Sequence, residues 1–223
     1  MRKILIKVFS IFNKKEMQTP VKKRKSTGQS LVEVALAFPV LIILLSGVVE
    51  FGFILNYYLS LLDATREAAR FSSGLDPFTK DLVTGVVTDN ADFYNTTMAM
   101  VRANLDPLVA NPAYLGRRII LDSAVDDVIV TVYSATGSTV VQHPSSGGYH
   151  IFGSHNFESN FNVLSIKNTR VLNAPNAGIL VVEVFYNYHQ VLALPWMTAL
   201  LSNPIPLRAY TIFPLSAAEP VVP

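Results

Sequence analysis

The chain has 223 residues, half of them hydrophobic and only 15% charged, a composition that suggests one ordinary domain plus a membrane segment. It holds no Cys, which excludes disulfides, thiolate metal sites and a Cys nucleophile. The net charge of +2 hides a division: residues 1–28 carry nine Lys or Arg against Glu16 alone, and the remainder carries nine against fifteen acids, so the basic end gives no argument for nucleic-acid binding.

Residues 1–28 read as a basic leader held on the cytoplasmic side by its positive charge. Ile4, Leu5, Ile6, Val8, Phe9, Ile11 and Phe12 form an apolar patch within it, too short and too interrupted by lysine to span a bilayer. The patch suits either a disordered leader or an amphipathic segment on the membrane surface. Residues 29–73 are expected to form one long helix. Sixteen residues from Val34 to Val49 carry no charge, and extension past Glu50 to Leu55 makes the run long enough to span, since a crossing takes about 20 residues. Pro39 falls in the first turns, where a spanning helix accepts a kink. A cleavable secretory signal would need a shorter apolar run ending in a small-x-small site.

Beyond the membrane the helix should continue, with Glu67 and Arg70 paired three residues apart and Gly74, Asp76 and Pro77 ending it. Residues 74–116 read as a helical and loop connection. A second helix is expected over 90–105, where Ala91, Tyr94, Met98, Val101 and Leu105 recur every three or four residues. From Arg117 to 215 the period is two, with strands at 119–121, 128–133, 139–141, 149–152, 179–188 and 207–213 between Gly-, Pro-, Asn- and Ser-rich turns. In the strongest of these Leu180, Val182, Val184, Tyr186 and Tyr188 share a face. A short helix is expected within 192–201, and 216–223 reads as a loose tail. The predicted fold is α+β: a long N-terminal transmembrane helix continuing into a small extracytoplasmic domain, whose antiparallel sheet packs on the outer part of that helix.

Three segments carry a family resemblance. They are Gly28-Gln-Ser-Leu-Val-Glu-Val-Ala-Leu-Ala-Phe-Pro39, Gly47-Val-Val-Glu-Phe-Gly52 and Ala64-Thr-Arg-Glu-Ala-Ala-Arg70. In order and spacing they resemble the TadE-like family of the tight-adherence (Flp) pilus system, over roughly residues 28–70. The resemblance implies a minor pilin or pseudopilin that acts structurally and without a cofactor. It implies residence in the bacterial cytoplasmic membrane, with the N-terminus inside and the C-terminal domain outside. It further implies cleavage by a prepilin peptidase between Gly28 and Gln29, and a role for Glu33, the fifth residue of the mature chain, in pairing with a neighbour's new amine. Val34 departs from the Tyr that usually follows this Glu in the major Flp pilins. The implied partners are other pilin-like subunits, the pilus assembly platform, the prepilin peptidase and membrane lipid.

The residues themselves leave alternatives open. Glu33 either sets register between subunits or sits among headgroups near Lys22–Lys25. Glu50 lies seventeen residues on, about 25 Å along a helix, near the outer face of a hydrocarbon core about 30 Å thick. It reads either as an interfacial carboxylate beside Asn56, Tyr57 and Tyr58, or as part of a helix–helix contact in which Gly47 and Gly52 allow close approach. His143, His150, His155 and His189 lack the spacing of a zinc motif. Asp122, Asp126 and Asp127 read as a solvated turn sooner than a cation site. Trp196 reads as core or as surface close to the membrane. No catalysis is expected. Two other readings remain, an anchored extracytoplasmic binding module that keeps its leader and an envelope enzyme with a site among the strands; histidines clustered with aspartates in one cleft would favour the enzyme.

Overall fold

A computed structural model of the chain describes residues 27–219, apart from 110, 138, 153–155 and 170–175. The basic leader up to residue 26, His155 and the end of the tail lie outside the described residues. The chain divides into two compact units, residues 1–44 and 45–223. The first is described by the opening of α1 (Thr27–Ser72), an uninterrupted helix that carries Pro39 without a break. Every side chain from Gly28 to Leu45 is exposed. This helix is long and apolar enough to cross a membrane.

In the second unit the same helix has a buried face. Ser46, Glu50, Leu61, Ala64, Thr65, Ala68, Ala69 and Ser72 are enclosed, at separations that keep them on one stripe of a 3.6-residue helix. A short hairpin follows, β1 (Phe78–Lys80) with β2 (Val87–Asp89), and then α2 (Ala91–Leu105). The Asn90 side chain caps α2 by accepting from the Asp92 amide, and Phe93, Tyr94, Met98, Val101 and Leu105 face the core. The hairpin has no strong alternation in sequence and its strands are largely exposed, so hydrophobic periodicity does not announce it.

The main sheet is antiparallel, in the order β4 (Thr139–His143), β3 (Asp127–Thr136), β6 (Asn176–Tyr188), β7 (Ile205–Pro214). The short β5 (Tyr149–His150) pairs with β3 at Ile129 and Val130, further along the edge that β4 occupies. Between β5 and β6 lies α3 (Val163–Thr169), and between β6 and β7 the one-turn α4 (Pro195–Thr198). The expected strand at 119–121 does not form. Ile119 is buried and its amide donates to the Leu105 carbonyl, so this segment satisfies its backbone on the end of α2 instead of on a neighbouring strand.

The alternation of β6 is used on both sides. Leu180, Val182 and Val184 pack with Val128, Val130 and Val132 of β3 against Leu61, Ala64, Ala68 and Ala69 of α1. Ile179 and Val181 face the other way and join Tyr133, Ala135 and Val140 under Ile166 of α3. The fold is therefore α+β, with a long apolar N-terminal helix followed by a domain built on antiparallel sheet.

Candidate functional site

The residues of the Ala64–Arg70 segment divide cleanly by role. Arg66 and Arg70 are exposed, and the Arg70 guanidinium is 2.6 Å from Glu67. That bond holds the Glu67 carboxyl below its ordinary value. Ala64, Ala68 and Ala69 are buried, and their short side chains let the sheet approach the helix closely. Two hydroxyl pairs fix the contact: Thr65 with Thr211 of β7 at 2.9 Å, and Ser72 with Thr97 of α2 at 2.7 Å. This segment is thus the docking face for the sheet domain. The small-residue spacing marks it in the sequence, but the matching threonines cannot be paired without the fold.

β6 runs back along α1, so that its last residues reach the helix near Glu50. Glu50 is 1% exposed. Its Oε1 accepts from the Tyr188 hydroxyl at 2.6 Å and from the Val191 amide at 2.9 Å, and its Oε2 accepts from the Leu192 amide at 2.9 Å. Three donors around one carboxylate satisfy it without water. Burial first, and then the bond to Glu50, raise the Tyr188 phenol above its ordinary value. Four residues upstream, Ser46 accepts from the Trp196 indole N–H at 3.2 Å. The end of β6 and the connection after it therefore enclose Glu50 within the protein's own fold. Tyr57 is no simple aromatic edge: it packs edge-on to Tyr188 and stacks on Tyr186, with the Arg117 guanidinium 4.4 Å from its ring centre. The Tyr186 phenol is pushed up to about 12, by burial above all and by its neighbours Tyr57 and Asp126. Asn56 and Tyr58 remain exposed. Glu50, Tyr57, Leu61, Ala64 and Ala68 recur at three, four or seven residues, and that shared stripe is the signal that could have joined Glu50 to the docking face.

Gly47 and Gly52 are exposed, and a Cβ at either would meet nothing within 4 Å. They leave open helix surface away from the buried stripe. Gly28, in the first turn of α1, is equally unobstructed. Gln29 donates its side-chain amide to Glu33 at 3.2 Å, and both are exposed.

The histidines separate into pairs. His150 lies 2.8 Å from Asp127, both enclosed, and His143 lies 3.2 Å from Asp89 beside the β1–β2 hairpin. His189 is exposed. Among the described residues no group of three or more His, Asp or Glu is placed to hold a metal ion. Asp126 and Asp127 are buried, contrary to the expected solvated turn. Asp126 accepts from the amides of Asp122 and Asn187, and Asp127 from that of Val128 as well as facing His150, so their oxygens serve the backbone of the fold. On the face of the sheet turned away from α1, which Asp127 shares, the buried Glu183 is 2.6 Å from Arg208 and accepts from Ser159 and the Asn160 amide.

A sheet domain docked on a helix whose preceding stretch is apolar and exposed all round supports a single-pass membrane protein. Comparison with known proteins adds a family: the model for TadE-like protein matches residues 28–70, a segment lying wholly within α1, and this TadE-like domain suggests a protein associated with the Tad pilus. No curated protein and no solved structure matches the chain.

Proposed function

We propose that this chain is a TadE-like minor pilin or pseudopilin that acts structurally, without catalysis, in assembly of a Flp-type pilus. The observation that carries the reading is the coincidence of the TadE-like match with α1, whose opening half is exposed and apolar and whose second half carries the docking face. In this reading the basic leader stays in the cytoplasm by the positive-inside rule, and the sheet domain lies outside the cytoplasmic membrane. The helix packs with helices of other pilin-like subunits through the open surface at Gly47 and Gly52. A prepilin peptidase cuts between Gly28 and Gln29. The new amine of one subunit then meets Glu33 of its neighbour, a pairing that sets axial register more than it adds stability.

Processing is the step to test. Co-expression with the prepilin peptidase of the same pilus system should shorten the chain by the mass of residues 1–28. Gly28→Leu should keep the leader, and since a Cβ at Gly28 meets nothing within 4 Å, the change leaves the fold alone. A Gly28→Leu chain that still loses residues 1–28 would end the processing reading.

A further inference from the structure

The connection between β6 and β7 has an unusual composition for an exposed loop. From Gln190 to Leu207 there is no Asp, Glu, Lys, Arg or His. Leu200 is 80% exposed, Val191 51% and Leu201 49%. Clustered exposed aliphatic side chains without charges among them mark a surface that contacts something apolar. The loop is also internally closed. Gln190 takes the Asn203 side chain on its amide and donates its own side chain to the carbonyls of Leu201 and Ser202, while the amides of Leu200 and Leu201 donate to Met197. Its backbone is thus largely spent before any partner arrives, as an apolar medium requires.

We propose that this loop is a second membrane contact, inserted into the outer interface of the bilayer beside α1. Its depth follows from the chain. Only twelve residues, 34–45, separate Glu33 from Ser46, the residue that Trp196 touches. A crossing takes about 20 residues, so a bilayer entered near Glu33 reaches beyond the level of Ser46 and takes in the loop fastened there. On α1 itself Val48, Val49, Phe51 and Leu55 are exposed at that level, continuing the apolar surface that the loop extends. Trp196, with its indole N–H on Ser46 of the helix, is the residue type favoured at this depth. The Glu50 clasp fits the same placement: a carboxylate near lipid is tolerated when every oxygen is bonded, and here the loop's own amides at Val191 and Leu192 do that. The occupant is lipid, not a second protein, because the surface continues that of the membrane-spanning helix.

The chain has no Cys, so one introduced Cys is a unique labelling site. Spin labels are placed singly by Leu200→Cys, by Leu41→Cys on the span and by Leu82→Cys in the β1–β2 hairpin, all at exposed positions, in full-length protein in phosphatidylethanolamine–phosphatidylglycerol nanodiscs. The expected result is an oxygen-to-nickel collision ratio at position 200 several-fold above that at 82 and approaching that at 41. A ratio at 200 equal to that at 82 overturns the proposal; a lipid-like value at 41 in the same series shows that the span survives it. Protection of position 200 from oxygen and nickel alike also overturns it, because that pattern belongs to a contact with a second copy.

Discussion

Replacing Glu50 by Gln keeps the size of the side chain and removes one acceptor. If the remaining carbonyl oxygen takes the place of Oε1 it still holds Tyr188 and Val191, and the new NH2 then faces the Leu192 amide, donor against donor. One charge-assisted bond disappears, and a buried N–H is left without a partner. Bonds of this kind contribute about 1.5–3 kcal/mol and an orphaned buried donor costs a similar amount; the two descriptions overlap, so the expected loss is about 2–3 kcal/mol. Local opening of the β6–β7 connection should become roughly 30- to 150-fold more frequent at that cost. Hydrogen–deuterium exchange of the full chain, read on peptides covering residues 189–194, measures it directly, with peptides from the centre of β6 as the internal standard. Trp196, the single Trp of the chain, should report the same loosening by a shift in its emission. Exchange at 189–194 unchanged in Glu50→Gln would refute the reasoning, since a buried carboxylate with three donors cannot lose one without cost unless the site is already open.

Other perturbations test other parts of the fold. Arg208→Met leaves Glu183, which is fully enclosed, with Ser159 and the Asn160 amide among the described residues; the expected loss is about 3 kcal/mol, seen as a lower urea midpoint by circular dichroism, and an unchanged midpoint would contradict the burial. Gly178→Ala would place a Cβ 2.0 Å from the Leu215 carbonyl oxygen, where the chain after β7 crosses β6, and should cost about 1–3 kcal/mol in the same measurement. The Asp106 carboxyl is held below its ordinary value by the bond from Arg118, with oxygen and nitrogen 2.6 Å apart. Its contribution is therefore complete above the unfolded-state value of about 3.9 and is lost as pH falls through the lower folded-state value. The gap in Tm between the parent and Asp106→Asn should be constant from neutral pH to mild acid and close in stronger acid; a gap independent of pH would remove the ion pair from the account.

The parts of this structure legible in sequence are those where one period dominates. The α1 helix, the face of α2 and the strand β6 carry unbroken apolar spacing, and each falls where that spacing puts it. What escaped depends on partners distant in the chain. Residues 119–121 look like a strand in isolation, but the end of α2 offers the Leu105 carbonyl first. Asp126 and Asp127 look like a solvated turn until Asn187, sixty-one residues beyond Asp126, and His150, twenty-three beyond Asp127, arrive over them. The hairpin β1–β2 buries too little to leave a pattern. At the candidate site the division is the same: Gly28, Gln29 and Glu33 are marked by local order along the helix, whereas the partners of Glu50 come from the end of β6 and the loop after it, more than 130 residues away.

The Glu50 clasp changes what the long helix is. Read from sequence, Glu33 and Glu50 bracket a span, and the sheet begins somewhere beyond it. In the structure the buried stripe already starts at Ser46, so the stretch from there to Ser72 is a domain helix on one side while its other side still presents Val48, Val49, Phe51, Leu55 and Leu59 outward. A sheet fastened this early must travel with this stretch of helix, because Glu50 and Thr65 tie it at two levels along the axis, while Ser72 ties α2 at a third. Any partner that grips the exposed apolar face between Val48 and Leu59 therefore positions the sheet as well. That coupling makes the second half of α1 a handle on the sheet and not a tether.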